Sequence, residues 1–175
     1  YLKFNKNNKK IVSLIIGGPN NYYDFNEREI GFLFNKIKII FSPDKYKLIV
    51  VPSYRTPKNI IDMSFGVFGD DHVVVKSVDK KAYLSALSLA DYIVVTSDST
   101  SMISESAVTG KPIYIANMKA KKSSKRFNKF YNQFKQMKII RDLENNIETW
   151  GYNKLDEASR VAAIIKKKMN LNGIN

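Results

Sequence analysis

The sequence predicts an α/β fold in which a doubly wound parallel sheet lies between two layers of helices. Short apolar runs such as IVSLII (residues 11–16) and YIVVT (residues 92–96) alternate with segments whose apolar residues recur at helical spacing. The runs are apolar on both faces, which is typical of parallel strands covered by helices on each side. With 175 residues, the chain is expected to form a single domain over residues 1–175.

Six strands follow from these apolar runs, the last of them a possible edge strand. They lie at residues 11–16, 46–51, 72–76, 92–96, 112–116 and 138–143. The turn Gly110-Lys111-Pro112 separates the fourth helix from the fifth strand, and the dipeptide Gly17-Gly18 follows the first strand directly.

Helices are predicted between these strands from capping residues and apolar spacing. Pro57 suits the first turn of one helix, and Asp79 can cap another. The segment from Leu155 to Met169 has one apolar face, for which we expect a packing role. Five of the predicted helices extend from about Asn26 to Ile40, from Pro57 to about Phe65, from Asp79 to Leu89, from Phe127 to Phe134, and from Leu155 to Met169. A further helix, between the fourth and fifth strands, contains Glu105.

Composition excludes several classes of site. The absence of cysteine excludes disulfides, thiolate zinc sites and cysteine nucleophiles, and a single histidine, His72, excludes histidine-rich metal sites. The net charge of +13 favours anionic partners such as nucleic acid, acidic lipid or phosphorylated small molecules, although a solvated lysine-rich surface explains it equally well. No apolar run reaches the roughly 20 residues that span a bilayer. We therefore expect a cytoplasmic protein, with peripheral attachment to the inner face of the membrane as a further option.

The segment TSDSTSM, residues 96–102, carries the strongest functional signal. It lies at the end of a predicted strand, and in parallel sheets ligands bind at that end. Ser99, Thr100 and Ser101 can cap the helix that follows, and the first backbone N–H groups of that helix, up to Met102, could bind a phosphate without a metal. The alternative is that these hydroxyls only cap the helix.

Glu105 follows about one turn inside this helix. A carboxylate there is poorly placed to bind phosphate but can accept two hydrogen bonds from a ribose diol. Amides and hydroxyls for phosphate, together with an acid for ribose, predict a nucleotide site.

Other chemistry fits the sequence less well. Gly17 and Gly18 could let a ligand approach the backbone, or could simply form a tight turn. No dinucleotide fingerprint, P-loop or serine-hydrolase elbow is present, so we predict neither a cofactor nor a metal and assign no catalytic residue. We expect His72 to be structural, because it opens its predicted strand on the side away from the expected cleft. The aromatic residues of KAKKSSKRFNKFYNQF have helical spacing and are expected to pack, which makes nucleic acid an improbable partner.

Several segments together resemble a known family. IIGGPNNYY, PSYRTP, LADYIVVTSDSTSMISESAVTGKPIYI, SSKRFNKF and WGYNKLDEASRVAAII, in this order, resemble the carboxyl-terminal half of the bacterial proteins that are named mitochondrial-fission-like after a plant elongated-mitochondria protein. The family is regarded as containing glycosyltransferases of the GT-B type, built from two Rossmann-like domains. The resemblance implies that this chain is the Rossmann-like donor-binding domain and that the amino-terminal, acceptor-binding domain of the family lies outside it. The first residue is Tyr1 rather than methionine, so we expect a further segment before it in the encoded protein.

Residues 73–115 are also similar to the donor domain of the glycosyltransferase that makes lipid II. That resemblance implies that Glu105 binds the ribose and that the loop Ser99, Thr100, Ser101 and Met102 holds the diphosphate. It also implies further contacts to the base, the phosphates and the donor sugar. They are Lys76, Ser77 and Val78 at the base, Gly17, Gly18 and Arg55 near the phosphates, and Ser124 and Lys125 facing the sugar.

The resemblances favour a metal-independent donor domain that binds a nucleotide-diphosphate sugar, most plausibly a UDP-sugar, for transfer to an envelope carbohydrate. The chain alone would then bind the donor without transferring it. A second hypothesis is a non-enzymatic module that docks on an anionic membrane surface or a protein partner through its basic surface.

Overall fold

The computed structural model describes residues 8–171, in which strands and helices alternate along the chain. Their bounds are β1 Lys10–Ile16, α1 Glu27–Ile40, β2 Tyr46–Pro52, α2 Lys58–Phe68, β3 Val73–Val74, α3 Lys80–Leu89, β4 Tyr92–Thr96, α4 Thr100–Ala107, β5 Ile113–Ala116, α5 Lys125–Gln136, β6 Ile140–Asp142 and α6 Glu157–Leu171.

The six strands form one sheet in the order β3-β2-β1-β4-β5-β6. Every pairing in it is parallel; Val12 of β1, for example, lies opposite Leu48 of β2 on one side and Tyr92 of β4 on the other. The chain proceeds outward from β1 to β3, returns to β4 beside β1, and proceeds outward again to β6. The strand order therefore reverses between β1 and β4, and the predicted doubly wound, Rossmann-like α/β fold is confirmed.

Both faces of the sheet are buried because consecutive strand residues enter different cores. Leu14 packs with the apolar residues of α1 and α2, such as Phe34, on one face. Its neighbour Ile15 packs on the other face with residues of α3, α4 and α5, such as Ile103 and Phe134. This alternation gives three layers and leaves the strand ends as the places where polar loops can gather.

The local signals for helix ends act largely as predicted. Asn26 caps α1 by accepting a hydrogen bond from the Glu29 N–H at 2.9 Å, and the Asp79 carboxylate caps α3 through the N–H groups of its first turn. Pro57 is the N-cap of α2 and immediately precedes its first turn. Gly110 has φ = 74° in the turn after α4, a conformation that glycine adopts without strain.

The third strand is shorter than the sequence predicts. The run 72–76 contains only Val73–Val74 as strand, because β3 lies at the sheet edge and pairs only with Ile49 and Val50 of β2. The N–H of His72 donates to the Phe68 carbonyl at 2.9 Å and still belongs to the turn after α2.

The last helix forms, but the prediction that its apolar face packs against the core is wrong for the described residues Val161, Ile165 and Met169. Val161, Ile165 and Met169 are 45%, 52% and 44% exposed, whereas Leu155, before the helix, does pack against the second core. The apolar spacing is helical, but neither core cluster of the described residues includes Val161, Ile165 or Met169. No helix in the same range combines the length and the apolar character needed to cross a bilayer.

Candidate functional site

The ends of β1 and β4 meet at the centre of the sheet, where the strand order reverses. Hydrogen bonds hold their loops together there: the Gly17 N–H donates to Thr96 Oγ1 at 2.8 Å, and Asn20 Nδ2 donates to the Asp98 carbonyl at 3.0 Å. A crevice at such a reversal point is where open α/β sheets bind ligands.

An apolar cavity of about 570 Å³ opens beside this point, between the end of β2 and helices α3 and α4. Its volume lies in the range of sites for small molecules. The apolar residues of its lining are Ile15, Pro52, Tyr54, Val78, Tyr83, Leu84, Leu87, Met102 and Val108, and the polar residues are Ser53, Asp79, Lys80 and Glu105.

Glu105 is fixed at this cavity by Tyr83. The Tyr83 hydroxyl donates to Glu105 Oε2 at 2.7 Å. Burial of the phenol, followed by its hydrogen bond to Glu105, raises the pKa of Tyr83, so the hydroxyl remains a proton donor. The second oxygen, Oε1, has no hydrogen-bond partner within the described part of the chain. Glu105 is exposed and can therefore accept hydrogen bonds from a ligand in the cavity.

A second, polar hollow of about 400 Å³ adjoins the apolar cavity. Ser53, Tyr54 and Met102 line both spaces, so the two form one cleft. The remaining lining residues of the hollow are polar; they are Asn20, Arg55, Asp98, Ser99, Thr100 and Ser101.

The start of α4 forms one wall of the hollow. Ser99 is its N-cap and accepts a hydrogen bond from the Met102 N–H at 3.4 Å. One hydroxyl is therefore enough to cap the helix. The hydroxyls of Thr100 and Ser101 make no hydrogen bond to any residue in the range 8–171, and they line the hollow together with the helix start. Amide donors, hydroxyls and the positive end of the helix dipole together suit an anion.

The opposite wall carries an ion pair. Arg55, in the loop after β2, donates through Nη2 to Asp98 Oδ2 at 2.7 Å and through Nη1 to the Gly18 carbonyl at 2.6 Å. The side chain of Arg55 is 40% exposed and that of Asp98 is fully buried. The buried Asp98 carboxylate thus holds the Arg55 guanidinium at the surface of the hollow.

Gly17 and Gly18 are required by contacts within the protein. A Cβ on Gly17 would lie 2.2 Å from the Asp98 carboxylate oxygens, and a Cβ on Gly18 would lie 1.9 Å from the Arg55 carbonyl oxygen. The sequence left open a ligand contact or a tight turn; the structure shows instead that neighbouring protein groups approach both glycines closely, and neither glycine lines the cleft.

The other sequence-predicted contact residues are distributed unevenly. Val78 lines the apolar cavity, whereas Lys76 and Ser77 precede it on the exposed loop and line neither space. Ser124 caps α5 by accepting from the Phe127 N–H at 3.3 Å, and Lys125 is exposed at the start of that helix. Neither lines the cleft in this structure.

Among the lining residues that the sequence did not indicate, Asp98, Tyr83 and Asn20 form hydrogen bonds that shape the cleft. Asp98 was available from its place between two hydroxyl residues at a strand end, although nothing in the sequence indicates its partner 43 residues away. Tyr83 shares the apolar spacing of α3 and is indistinguishable there from a packing residue. Asn20 lies in a loop whose composition predicts only a turn.

His72 has the structural role that its position predicts. It is buried, its Nδ1 accepts a hydrogen bond from the Leu48 N–H at 3.3 Å, and burial lowers its pKa to about 4. In the range 8–171, no group of three or more histidine or acidic side chains is arranged to hold a metal ion.

Comparison with known sequences identifies related proteins. Residues 2–169 match the family model described as Mitochondrial fission ELM1. An uncharacterized protein of Rickettsia prowazekii is 34% identical over 94% of this chain, and the mitochondrial fission protein ELM1 of Arabidopsis thaliana is 29% identical over 69% of it. These matches cover 48% and 29% of the two relatives, so the chain spans at most about half the length of either.

Comparison with solved structures identifies the fold. The structure of Staphylococcus aureus MnaA with UDP superposes with a TM-score of 0.55 and 12% identity, over 93% of this chain and 38% of that one. The Neisseria meningitidis UDP-GlcNAc 2-epimerase bound to UDP-GlcNAc superposes with a TM-score of 0.51 and 11% identity, over 98% of this chain and 40% of that one. At this identity the likeness establishes a shared Rossmann-like fold.

Proposed function

The chain belongs to the mitochondrial fission ELM1 family, and from that premise we propose that it is the donor-binding domain of a GT-B glycosyltransferase. Its ligand is a nucleotide-diphosphate sugar, with a UDP-sugar as the first choice. The similar folds recorded with UDP and with UDP-GlcNAc support that choice. An envelope carbohydrate as acceptor, and a cytoplasmic location peripheral to the membrane, belong to the same proposal.

The observation that carries the proposal is the division of one cleft into two chemically different parts. The apolar cavity suits a base and has Glu105 on its wall for a ribose diol. The polar hollow beyond it has the start of α4 and Arg55, which suit a diphosphate. A nucleoside diphosphate has these parts in this order, and Met102, which lines both spaces, lies where the two parts of the ligand join.

The protein's contribution to transfer is electrostatic. When the sugar leaves, negative charge develops on the nucleoside diphosphate, and preorganised donors at that point lower the barrier. The N–H groups and hydroxyls of Thr100 and Ser101 supply them, with Arg55 nearby and no metal in the proposed step. Acceptor binding is proposed for the amino-terminal domain of the full-length protein, and no catalytic base is assigned.

The test is calorimetric titration of the 175-residue chain with a panel of nucleoside diphosphates. We expect UDP to bind and Glu105→Ala to weaken its affinity at least tenfold, which corresponds to about 1.4 kcal/mol. Glu144→Ala is the matched control, because Glu144 is exposed after β6 and this substitution removes the same side chain and charge outside the cleft. Absence of binding by every nucleoside diphosphate would overturn the proposal.

A second function is favoured by α6. Its exposed apolar residues Val161, Ile165 and Met169 are followed or interrupted by Lys166, Lys167 and Lys168, a composition suited to an anionic membrane surface. This alternative predicts binding to vesicles of anionic lipid that is lost at high salt and is unaffected by Glu105→Ala. Vesicle sedimentation with the unmodified chain and with Glu105→Ala therefore distinguishes membrane docking from nucleotide binding.

A further inference from the structure

Asp98 is a buried acid that the proposed binding scheme does not use directly. Its side chain is fully buried beneath the polar hollow. The carboxylate accepts hydrogen bonds from the Thr96 hydroxyl at 2.6 Å, from the Gly18 N–H at 3.1 Å and from Arg55 Nη2 at 2.7 Å. One side chain thus connects the loops at the ends of β1, β2 and β4.

The burial of Asp98 requires compensation, because a buried charge is costly unless it is paired and hydrogen-bonded. Arg55 supplies the only opposite charge in direct contact with it among the described residues. The Gly18 N–H and the Thr96 hydroxyl satisfy the carboxylate further. With these partners in place, the acid can lie close to a bound diphosphate without contributing a free negative charge.

Arg55 in turn depends on Asp98 for its position. An arginine side chain has several rotatable bonds, and fixing it at a surface loses conformational entropy. Here the Asp98 carboxylate and the Gly18 carbonyl each accept a hydrogen bond from one guanidinium nitrogen, which orients its plane. Because the side chain remains 40% exposed and lines the hollow, its remaining donors are available to a ligand.

The α4 side of the hollow is tied to the same residue. The Asp98 carbonyl accepts from Asn20 Nδ2 at 3.0 Å, and Ser99, the next residue, is the N-cap of α4. Asp98 therefore lies directly between the segment that holds Arg55 and the helix start that presents Thr100 and Ser101.

We propose that Asp98 is a positioning residue for diphosphate recognition, acting through Arg55. This inference rests on the proposed nucleotide-binding function and adds to it a specific role: Asp98 holds the guanidinium at the hollow, so that the phosphates meet Arg55 and the start of α4 together. Asp98 itself does not contact the ligand, and the apolar cavity does not depend on it.

This role predicts an effect that depends on the phosphates. In Asp98→Asn the side chain keeps its size but loses the charge that holds Arg55. We expect UDP affinity to fall at least fivefold and uridine affinity to change less than twofold, by titration calorimetry of the 175-residue chain. A general loosening of the fold would lower both affinities and the unfolding temperature together.

A double-mutant cycle tests that Asp98 acts through Arg55. In the Arg55→Gln background, adding Asp98→Asn is expected to cause no further loss of UDP affinity, because the guanidinium that Asp98 holds is already absent. Arg55→Gln leaves the Asp98 carboxylate buried without its cation, whereas Asp98→Asn and the double variant leave no buried charge unpaired. If Arg55→Gln fails to fold, the double variant is compared directly with Asp98→Asn, and their UDP affinities should agree within twofold. A further loss of fivefold or more in the double variant would overturn the proposal.

The outcomes distinguish the two levels of inference. If the unmodified chain binds no nucleoside diphosphate, the proposed function fails and the role of Asp98 fails with it. If the chain binds UDP and Asp98→Asn keeps the ratio of UDP to uridine affinity, only the positioning role fails. If Asp98→Asn lowers the ratio of UDP to uridine affinity, and causes no further loss in the Arg55→Gln background, the proposed function and the positioning role are both supported.

Discussion

The two halves of the cleft are built by different forces. Hydrogen bonds from three strand ends converge beneath the polar hollow, with Asp98 as their centre. The apolar cavity is shaped by packed side chains, with a side-chain hydrogen bond between Tyr83 and Glu105 on its wall. Directed bonds fix donors in place for a charged group, whereas packing provides a shape. The polar half should therefore tolerate substitution less well than the apolar half.

The largest effect is expected from Gly18→Ala in the polar half. The new Cβ would lie 1.9 Å from the Arg55 carbonyl oxygen, so the backbone of one loop must shift. We expect the free energy of unfolding, measured in urea, to fall by about 3 kcal/mol, as at other overpacked sites. We also expect UDP binding to be lost. Gly31→Ala is the control: nothing lies within 4 Å of its added Cβ, and in helix α1 it should stabilise by about 0.5–1 kcal/mol. Equal effects of the two substitutions would contradict this account of the glycines.

Acid should weaken the scaffold that both halves share. The pKa of His72 is about 4 in the folded protein and about 6.5 when unfolded, so the unfolded chain binds the proton more readily. The stability due to the neutral ring is complete above pH 6.5 and is lost as pH falls toward 4. We expect a loss of about 2 kcal/mol over that interval from this group.

His72→Asn retains an acceptor for the Leu48 N–H but does not titrate in this interval. Chemical denaturation at pH 7 and pH 4.5 should therefore show a smaller drop in the free energy of unfolding for the variant than for the unmodified chain. An identical drop would mean that His72 is not the group responsible.

The smallest effect is expected in the apolar half. Tyr83→Phe removes the hydroxyl that orients Glu105 Oε2 but keeps the ring in the cavity wall. We expect UDP and uridine to bind three- to tenfold more weakly, about 1 kcal/mol for the lost orientation. Tyr152→Phe is the control, since its hydroxyl donates to the Lys111 carbonyl outside the cleft. An effect on UDP alone would place Tyr83 with the polar half instead.

Much of the fold follows from local sequence. The run 92–96 predicts β4 with its observed bounds, and Asp79 predicts the cap of α3, because burial on both faces and capping depend on neighbouring residues. The apolar spacing of α6 predicts a helix, but not whether a partner covers its face. Edge position likewise shortens β3, since strand length there depends on pairing with β2.

The cleft was predictable only in part. The Ser99–Met102 segment and Glu105 line the cleft. They were predictable because a strand end followed by a helix start is a local sequence pattern. Their partners were not predictable, since Tyr83 lies 22 residues from Glu105 and Arg55 lies 43 residues from Asp98. Whether the sequence-predicted residues bind a ligand remains a prediction for the titrations above.

The contact between β1 and β4 also has a kinetic consequence. Gly17 and Thr96 are separated by 79 residues, and Gly18 and Asp98 by 80, so these bonds close long loops of chain. Contacts of high sequence separation are slow to form, and these loops contain α1, β2, α2, β3 and α3. During refolding, the ability to bind a nucleoside diphosphate should therefore appear later than the helical circular dichroism signal.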